Sequence, residues 1–214
     1  MNKNIIIRNE TQVDYKTVEK ITREAFYNLY VPGGAEHYLV HIMRAHSDFI
    51  SELDFVIELD GQIIGNIMYT KAKLVDEKGF EKDIITFGPV CIVPKYQRKG
   101  YGKLLIEHSF KKAIELGYDV IVIFGSPANY VSLGFKSSKK YNVCIENGKY
   151  PAAMMVKELV SGTLDGRKWI YYDSPVMQVT EEEVQKYDDT LEKMEKKYQE
   201  SQEEFYILSN SYIE

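Results

Sequence analysis

The segment Gln97-Arg98-Lys99-Gly100-Tyr101-Gly102-Lys103 sets two glycines among three cations, just where an amphipathic stretch begins. The first N–H groups of a helix lack internal partners, and the helix dipole adds partial positive charge there. Glycine lets an anion come close to such a backbone with no Cβ in the way. The chemistry this spacing could do is to hold a phosphate or a pyrophosphate. Two common nucleotide patterns do not fit. The dinucleotide fingerprint needs a third glycine where Leu105 stands, and a P-loop needs a hydroxyl residue where Leu104 stands. Upstream, Val90-Cys91-Ile92-Val93 is an apolar strand stopped by Pro94. Downstream, Gly117 stands where a helix-ending glycine belongs, Asp119–Phe124 reads as a buried strand, and Gly125-Ser126-Pro127-Ala128-Asn129-Tyr130 leads into Gly134-Phe135.

In order and spacing these two segments resemble the Gcn5-related N-acetyltransferases, the GNAT family. There the pattern Gln/Arg-x-x-Gly-x-Gly/Ala follows the fourth strand, and a tyrosine precedes a Gly-Phe pair by four residues, as Tyr130 precedes Gly134-Phe135. The short Gly-x-Pro-x-x-Tyr loop is similar to that of a bacterial subgroup of predicted N-acetyltransferases. Pro32-Gly33-Gly34-Ala35-Glu36-His37 and Glu158-Leu159-Val160-Ser161-Gly162-Thr163-Leu164 also correspond to segments of that subgroup, so the resemblance spans residues 3–170.

The resemblance implies an α+β fold: a mixed, mostly antiparallel twisted sheet with a splayed central parallel strand pair and flanking helices. It implies acetyl-CoA as the acetyl donor and a primary amine, of a small molecule or a peptide, as the acceptor, attacking directly in a ternary complex. Backbone groups of Val90, Cys91 and Ile92 would bind the pantetheine arm. Gln97, Arg98, Lys99, Gly100, Tyr101, Gly102 and Lys103 would hold the pyrophosphate, with Asn129 also on the cofactor. Tyr130 would protonate the departing sulfur; the other reading is that it closes the core. Glu36 is the candidate general base, although a water path to another carboxylate or a carbonyl would also serve. Cys91 is read as a small buried hydrophobe rather than an acyl-cysteine nucleophile. His37, His41 and His46 lack the His-Glu-x-x-His order, and no metal site is expected.

The elements that position these groups read as β-α-α-β-β-β-α-β-α-β. Ile5-Ile6-Ile7 is a first strand, and Thr11 with Asp14 resembles a capping box ahead of a helix through Val18, Ile21, Ala25 and Leu29. Residues 35–46 form a second helix. Phe55–Leu59 and Ile63–Tyr69 flank Asp60-Gly61, a strong hairpin signal. Lys73–Glu81 is a polar loop, Ile84–Val93 the strand into the phosphate turn, 101–116 a helix, and Ala152–Leu159 and Trp169–Tyr172 late strands.

The 214 residues suit a catalytic domain over 1–175 and an extension over 176–214. In that extension Thr180 and Glu183 make a capping box, and Val184, Leu191, Tyr198 and Phe205 recur every seven residues, which predicts one long amphipathic helix. Residues 181–206 carry ten acidic and four basic side chains, a balance of −6 against −5 for the whole chain, so the rest is near neutral. That helix either packs on its own domain, the expected arrangement, leaving a monomer, or pairs two chains through 180–206. The absence of a basic stripe argues against a nucleic-acid module. A CoA-binding regulator without catalysis is the alternative class, and the intact Tyr130 motif speaks against it. Two cysteines, no long apolar run and no apolar signal region in Met1-Asn2-Lys3-Asn4 point to a cytoplasmic protein off the membrane.

Overall fold

A computed structural model describes residues 4–214, so the reading of Met1–Lys3 lies outside the described residues. The elements run β1 (Ile5–Asn9), α1 (Tyr15–Phe26), α2 (Glu36–Met43), β2 (Phe55–Leu59), β3 (Gln62–Asp76), β4 (Glu81–Ile92), α3 (Tyr101–Glu115), β5 (Val120–Phe124), α4 (Pro127–Tyr130), β6 (Lys136–Ser137), β7 (Val143–Cys144), β8 (Met154–Glu158), β9 (Trp169–Tyr172), α5 (Glu181–Asp188) and α6 (Glu200–Ser209). One mixed sheet follows the order β1-β2-β3-β4-β5-β8-β6. Strand β9 pairs with the end of β3, and β7 pairs with β9 in parallel. Among the described residues no helix is long and apolar enough to cross a membrane.

Alternation along the strands assigns the two faces. Ile85, Phe87, Ile121 and Ile123 pack under α3 with Leu105, Phe110 and Phe135. Ile84, Val120, Val122, Trp169 and Tyr171 form a second cluster on the opposite face. There α1 and α2 also seat Val18, Val40 and Met43 on Val56 and Met68. A buried polar network fixes these two helices to the sheet edge. Arg44 donates to both oxygens of Glu10 at 2.8 and 2.7 Å and to Glu19 at 2.8 Å. Burial, then the Glu10 carboxyl beside it, pushes the Asp54 carboxyl well up.

Several sequence expectations change in detail. Asp60 and Gly61 both take positive φ, as a type I′ hairpin turn requires. The loop expected over 73–81 shrinks, because β3 continues to Asp76 and β4 begins at Glu81. Lys73, which reads as a loop residue, bonds Glu81 across the strands at 3.2 Å. Asp14 stands at the N-cap of α1 rather than inside it, and its carboxylate accepts from Thr11 and pairs with Arg8 at 2.6 Å.

The predicted long C-terminal helix is two short ones. The capping box at Thr180 and Glu183 does form and starts α5. The chain then leaves helical geometry until Glu200. A helix uses its own carbonyls, whereas here those of Glu192, Met194 and Glu195 accept bonds from Arg23, Tyr27 and Asn28. Of the heptad positions, Tyr198 is 68% exposed and packs into no face.

Candidate active site

Parallel pairing of β4 with β5 is confined to Ile85 opposite Ile121. Beyond it the strands part, and the β5-facing edge of β4 is open up to Ile92 among the described residues. The Val93 N–H donates to the Ile64 carbonyl at 2.8 Å. Alternation therefore turns the backbone groups of Cys91 toward β3 as well, and leaves those of Val90 and Ile92 on the open edge. Cys91 accordingly drops out of the three residues expected to offer backbone groups there. Its thiol is buried 3.5 Å from the Thr22 hydroxyl, and burial pushes it up to about 11, which keeps it protonated and unreactive.

The chain then turns into α3. Gln97 sends its side-chain amide back to the Ile92 carbonyl at 2.9 Å, so this side chain serves the strand edge rather than the anion site. Arg98 and Gly100 both adopt left-handed backbone, with φ of 57° and 87°. Such alternating geometry turns successive N–H groups into one concavity, the nest that binds anions. Leu104 makes the first bond of the helix, to the Gly100 carbonyl at 3.0 Å, so the first-turn donors face the nest. Arg98, Lys99, Gly100 and Lys103 are exposed around it. Tyr101 buries its ring, edge-on to Tyr96 at 6.4 Å. The first turn of α3 has no acidic residue, and Lys99 and Lys103 oppose the helix dipole there. A bound anion reverses that mismatch.

Tyr130 ends α4, past the open edge. Its ring meets Phe87 at 5.7 Å and Phe135 at 5.8 Å, both side chains of the α3 face. A Cβ on Gly125 would come within 2.6 Å of this ring, so glycine at that position is what lets Tyr130 lie against the end of β5. Burial, then the nearby Tyr30, pushes the phenol well above its usual range, so it holds its proton at neutral pH. Asn129 is exposed on α4.

A second group of side chains approaches from the α1–α2 side. Glu36 opens α2, and its Oε2 accepts from the Ala35 N–H at 2.9 Å. Burial pushes this carboxyl up against that bond. Tyr30, from the connecting loop, sets its ring 5.9 Å from Phe26, and burial, then the charge of Glu36, pushes its phenol up. From β9, Tyr171 sets its ring 5.9 Å from Phe124 at the end of β5, and its buried hydroxyl lies near Thr86 and Asp173. Burial pushes the Asp173 carboxyl up. The sequence signalled none of Tyr30, Phe124, Tyr171 or Asp173. They come from the unpatterned loop and from strand ends, and it is the sheet that brings Tyr171 to Phe124.

The histidines take separate carboxylates. His37 lies 3.2 Å from Asp188, His41 3.1 Å from Glu19 and His46 3.7 Å from Asp48.

A splayed parallel pair, a cationic nest at the following helix and a tyrosine across the gap together define an acyl-transfer fold. The acetyltransferase (GNAT) family profile matches residues 19–136, more than half of the chain, and this protein belongs to that family. It is 25% identical over 162 residues to the uncharacterized N-acetyltransferase YhbS of Escherichia coli strain K12, covering 76% of this chain and 92% of that one. The crystal structure of E. coli YhbS in complex with CoA superposes with a TM-score of 0.71 at 23% identity, over 83% of this chain and 93% of that one. A GNAT family acetyltransferase from Brucella melitensis in complex with acetyl-CoA gives 0.63 at 21% identity, over 82% and 99%.

Proposed function

We propose that this enzyme transfers the acetyl group of acetyl-CoA to a primary amine by direct attack in a ternary complex. The observation that carries the reading is the continuity of the open β4 edge with the cationic nest at α3. An extended amide chain ending in a pyrophosphate fits that pair of features. The CoA and acetyl-CoA held by the two superposed structures support it. Backbone groups of Val90 and Ile92 bind the pantetheine amides, and one N–H there faces the carbonyl oxygen that gains charge on attack. N–H groups from Lys99 to Lys103, with the cations around them, hold the pyrophosphate. Glu36 takes the proton of the incoming ammonium, leaving a nucleophilic amine. Nitrogen then bonds to the acetyl carbon, and the carbon–sulfur bond breaks as Tyr130 gives its proton to the sulfur. The nitrogen sheds its second proton through water, which returns Tyr130 to its phenol form while Glu36 releases its own proton to solvent. The alternative, a CoA-binding regulator, would have no use for a protonated phenol at that point.

The donor site is tested without any acceptor. CoA is expected to raise the melting temperature of the wild type, since a ligand of the native state stabilises it. Gly100→Asp is expected to abolish the shift by putting a carboxylate into the nest. A wild type that ignores millimolar CoA and responds to ATP or NAD overturns the assignment.

The base is tested through pH. Because burial raises the Glu36 carboxyl above its ordinary 4.5, the native state binds more protons than the unfolded chain above that pH. Stability from this group is therefore lost as pH rises. Glu36→Gln should melt higher than wild type at pH 8, with the gap closing near pH 5, while its kcat falls by at least ~10-fold. If Glu36→Gln keeps the ascending limb of the pH–rate profile and Asp173→Asn loses it, the base is Asp173.

A further inference from the structure

Residues 192–205 lie well beyond the family profile, which ends at 136, yet they are laced to the α1–α2 loop. Arg23 Nη1 donates to the Glu192 carbonyl at 2.7 Å, and the Tyr27 hydroxyl to that of Met194 at 3.1 Å. Asn28 is the hub. Its side-chain amide donates to the Glu195 carbonyl at 2.8 Å, its side-chain oxygen accepts from the Lys197 and Gly33 N–H groups at 3.1 and 3.0 Å, and its carbonyl accepts from Gln202 at 2.8 Å. Ser201 donates to the Leu29 carbonyl at 2.7 Å. The stem of Lys196 lies so close over Gly33 that a Cβ there would meet it at 2.9 Å. One turn of helix beyond Ser201, this lacing sets the Phe205 ring 5.0 Å from that of Tyr30.

Glu36, the proposed base, sits beside this loop: a Cβ on Gly34 would meet the Glu36 carboxylate at 2.9 Å and the Phe26 carbonyl at 3.2 Å, and the Phe26 ring lies against Tyr30. Phe26, Tyr30 and Phe205 make a run of aromatic rings beside that carboxylate, with ring centroids 5.9 and 5.0 Å apart. The run ends in solvent, Phe205 being 38% exposed. A carboxyl at one end and ring faces along the side form a site for an ammonium carried on an apolar or aromatic group.

Resting on the function proposed above, we propose that the C-terminal segment builds the outer wall of the acceptor site. Phe205 is the specificity-determining residue for a small primary amine with an aromatic substituent. An acceptor of that class places its amine at Glu36 and lays its ring against Tyr30 and Phe205. The wall also keeps bulk water from the acetyl thioester while no amine is bound.

The test uses the full chain and phenethylamine and butylamine as probes. In Phe205→Ala, kcat/KM for phenethylamine should fall about tenfold through KM, while that for butylamine changes little. Phe205→Tyr should restore the wild-type value, which a purely structural role would not require. The second measurement needs no acceptor: thiol release from acetyl-CoA alone should rise several-fold in Phe205→Ala. The CoA-induced melting shift should stay unchanged in both variants. If that shift persists while neither the amine preference nor the acceptor-free hydrolysis moves, the wall assignment is wrong. If the wild type shows no CoA shift at all, the fault lies in the donor-site reading instead. Should the wild type acetylate neither amine, the hydrolysis comparison decides alone.

Discussion

Tyr130→Phe is expected to lower kcat by at least ~10-fold, toward the 10²–10⁴ that general acid–base groups supply, with CoA affinity near that of the wild type. The substitution keeps the ring, so the contacts with Phe87 and Phe135 persist and the loss is confined to one proton. Burial holds this phenol protonated well past neutral pH, which an acid needs and a base does not. The wild-type rate should consequently show no descending limb from Tyr130 in the neutral range. Single-turnover thiol release on the two proteins, at saturating amine, measures the effect. Equal rates would return Tyr130 to a packing role and leave the thiolate to be protonated by water.

The second large effect is on stability. Asp188, the last residue of α5, accepts from Arg23 Nε and Nη2 at 3.0 and 2.7 Å and from the Tyr27 hydroxyl at 3.2 Å, with His37 at 3.2 Å. The side chains of Arg23 and Asp188 are only 9% and 10% exposed. Removing one partner of such a pair leaves a buried charge uncompensated, at a cost of about 3–5 kcal/mol. Asp188→Ala should therefore melt far below the wild type. Asp188→Asn, which keeps one acceptor oxygen, should fall between them. Denaturant titration gives the difference directly. A change within ~0.5 kcal/mol, the size of an ordinary surface substitution, would show that the C-terminal segment does not pack on its own chain.

What could be read from the sequence was local. The cradle at Gln97–Lys103, the Tyr130 to Gly134-Phe135 spacing and the Asp60-Gly61 turn each depend on residues a few positions apart; the Asp60-Gly61 turn forms as expected, and α3 starts at Tyr101 where the sequence put it. The acceptor side was not legible beyond Glu36. Tyr30 and Phe205 are far apart in the chain, and each is one aromatic among many until the fold joins them. Periodicity misled in the C-terminal segment. Apolar residues every seven positions fit a helix, but the pattern carries no information about carbonyls drawn away by Arg23, Tyr27 and Asn28. The parallel pairing of β7 with β9 left no trace, because β7 is two residues long and has no periodicity to detect.

The contact between Arg23 and Asp188 joins residues 165 positions apart in sequence. Closing so long a loop costs entropy before any contact repays it, so pairings of this kind form late on the way to the native state. Their free energy is then absent from the folding barrier and acts on the return path. The C-terminal segment is thus expected to act as a kinetic lock. It sets how long the folded enzyme persists more than how fast it is made, and Asp188→Ala should speed unfolding while leaving the refolding rate almost untouched.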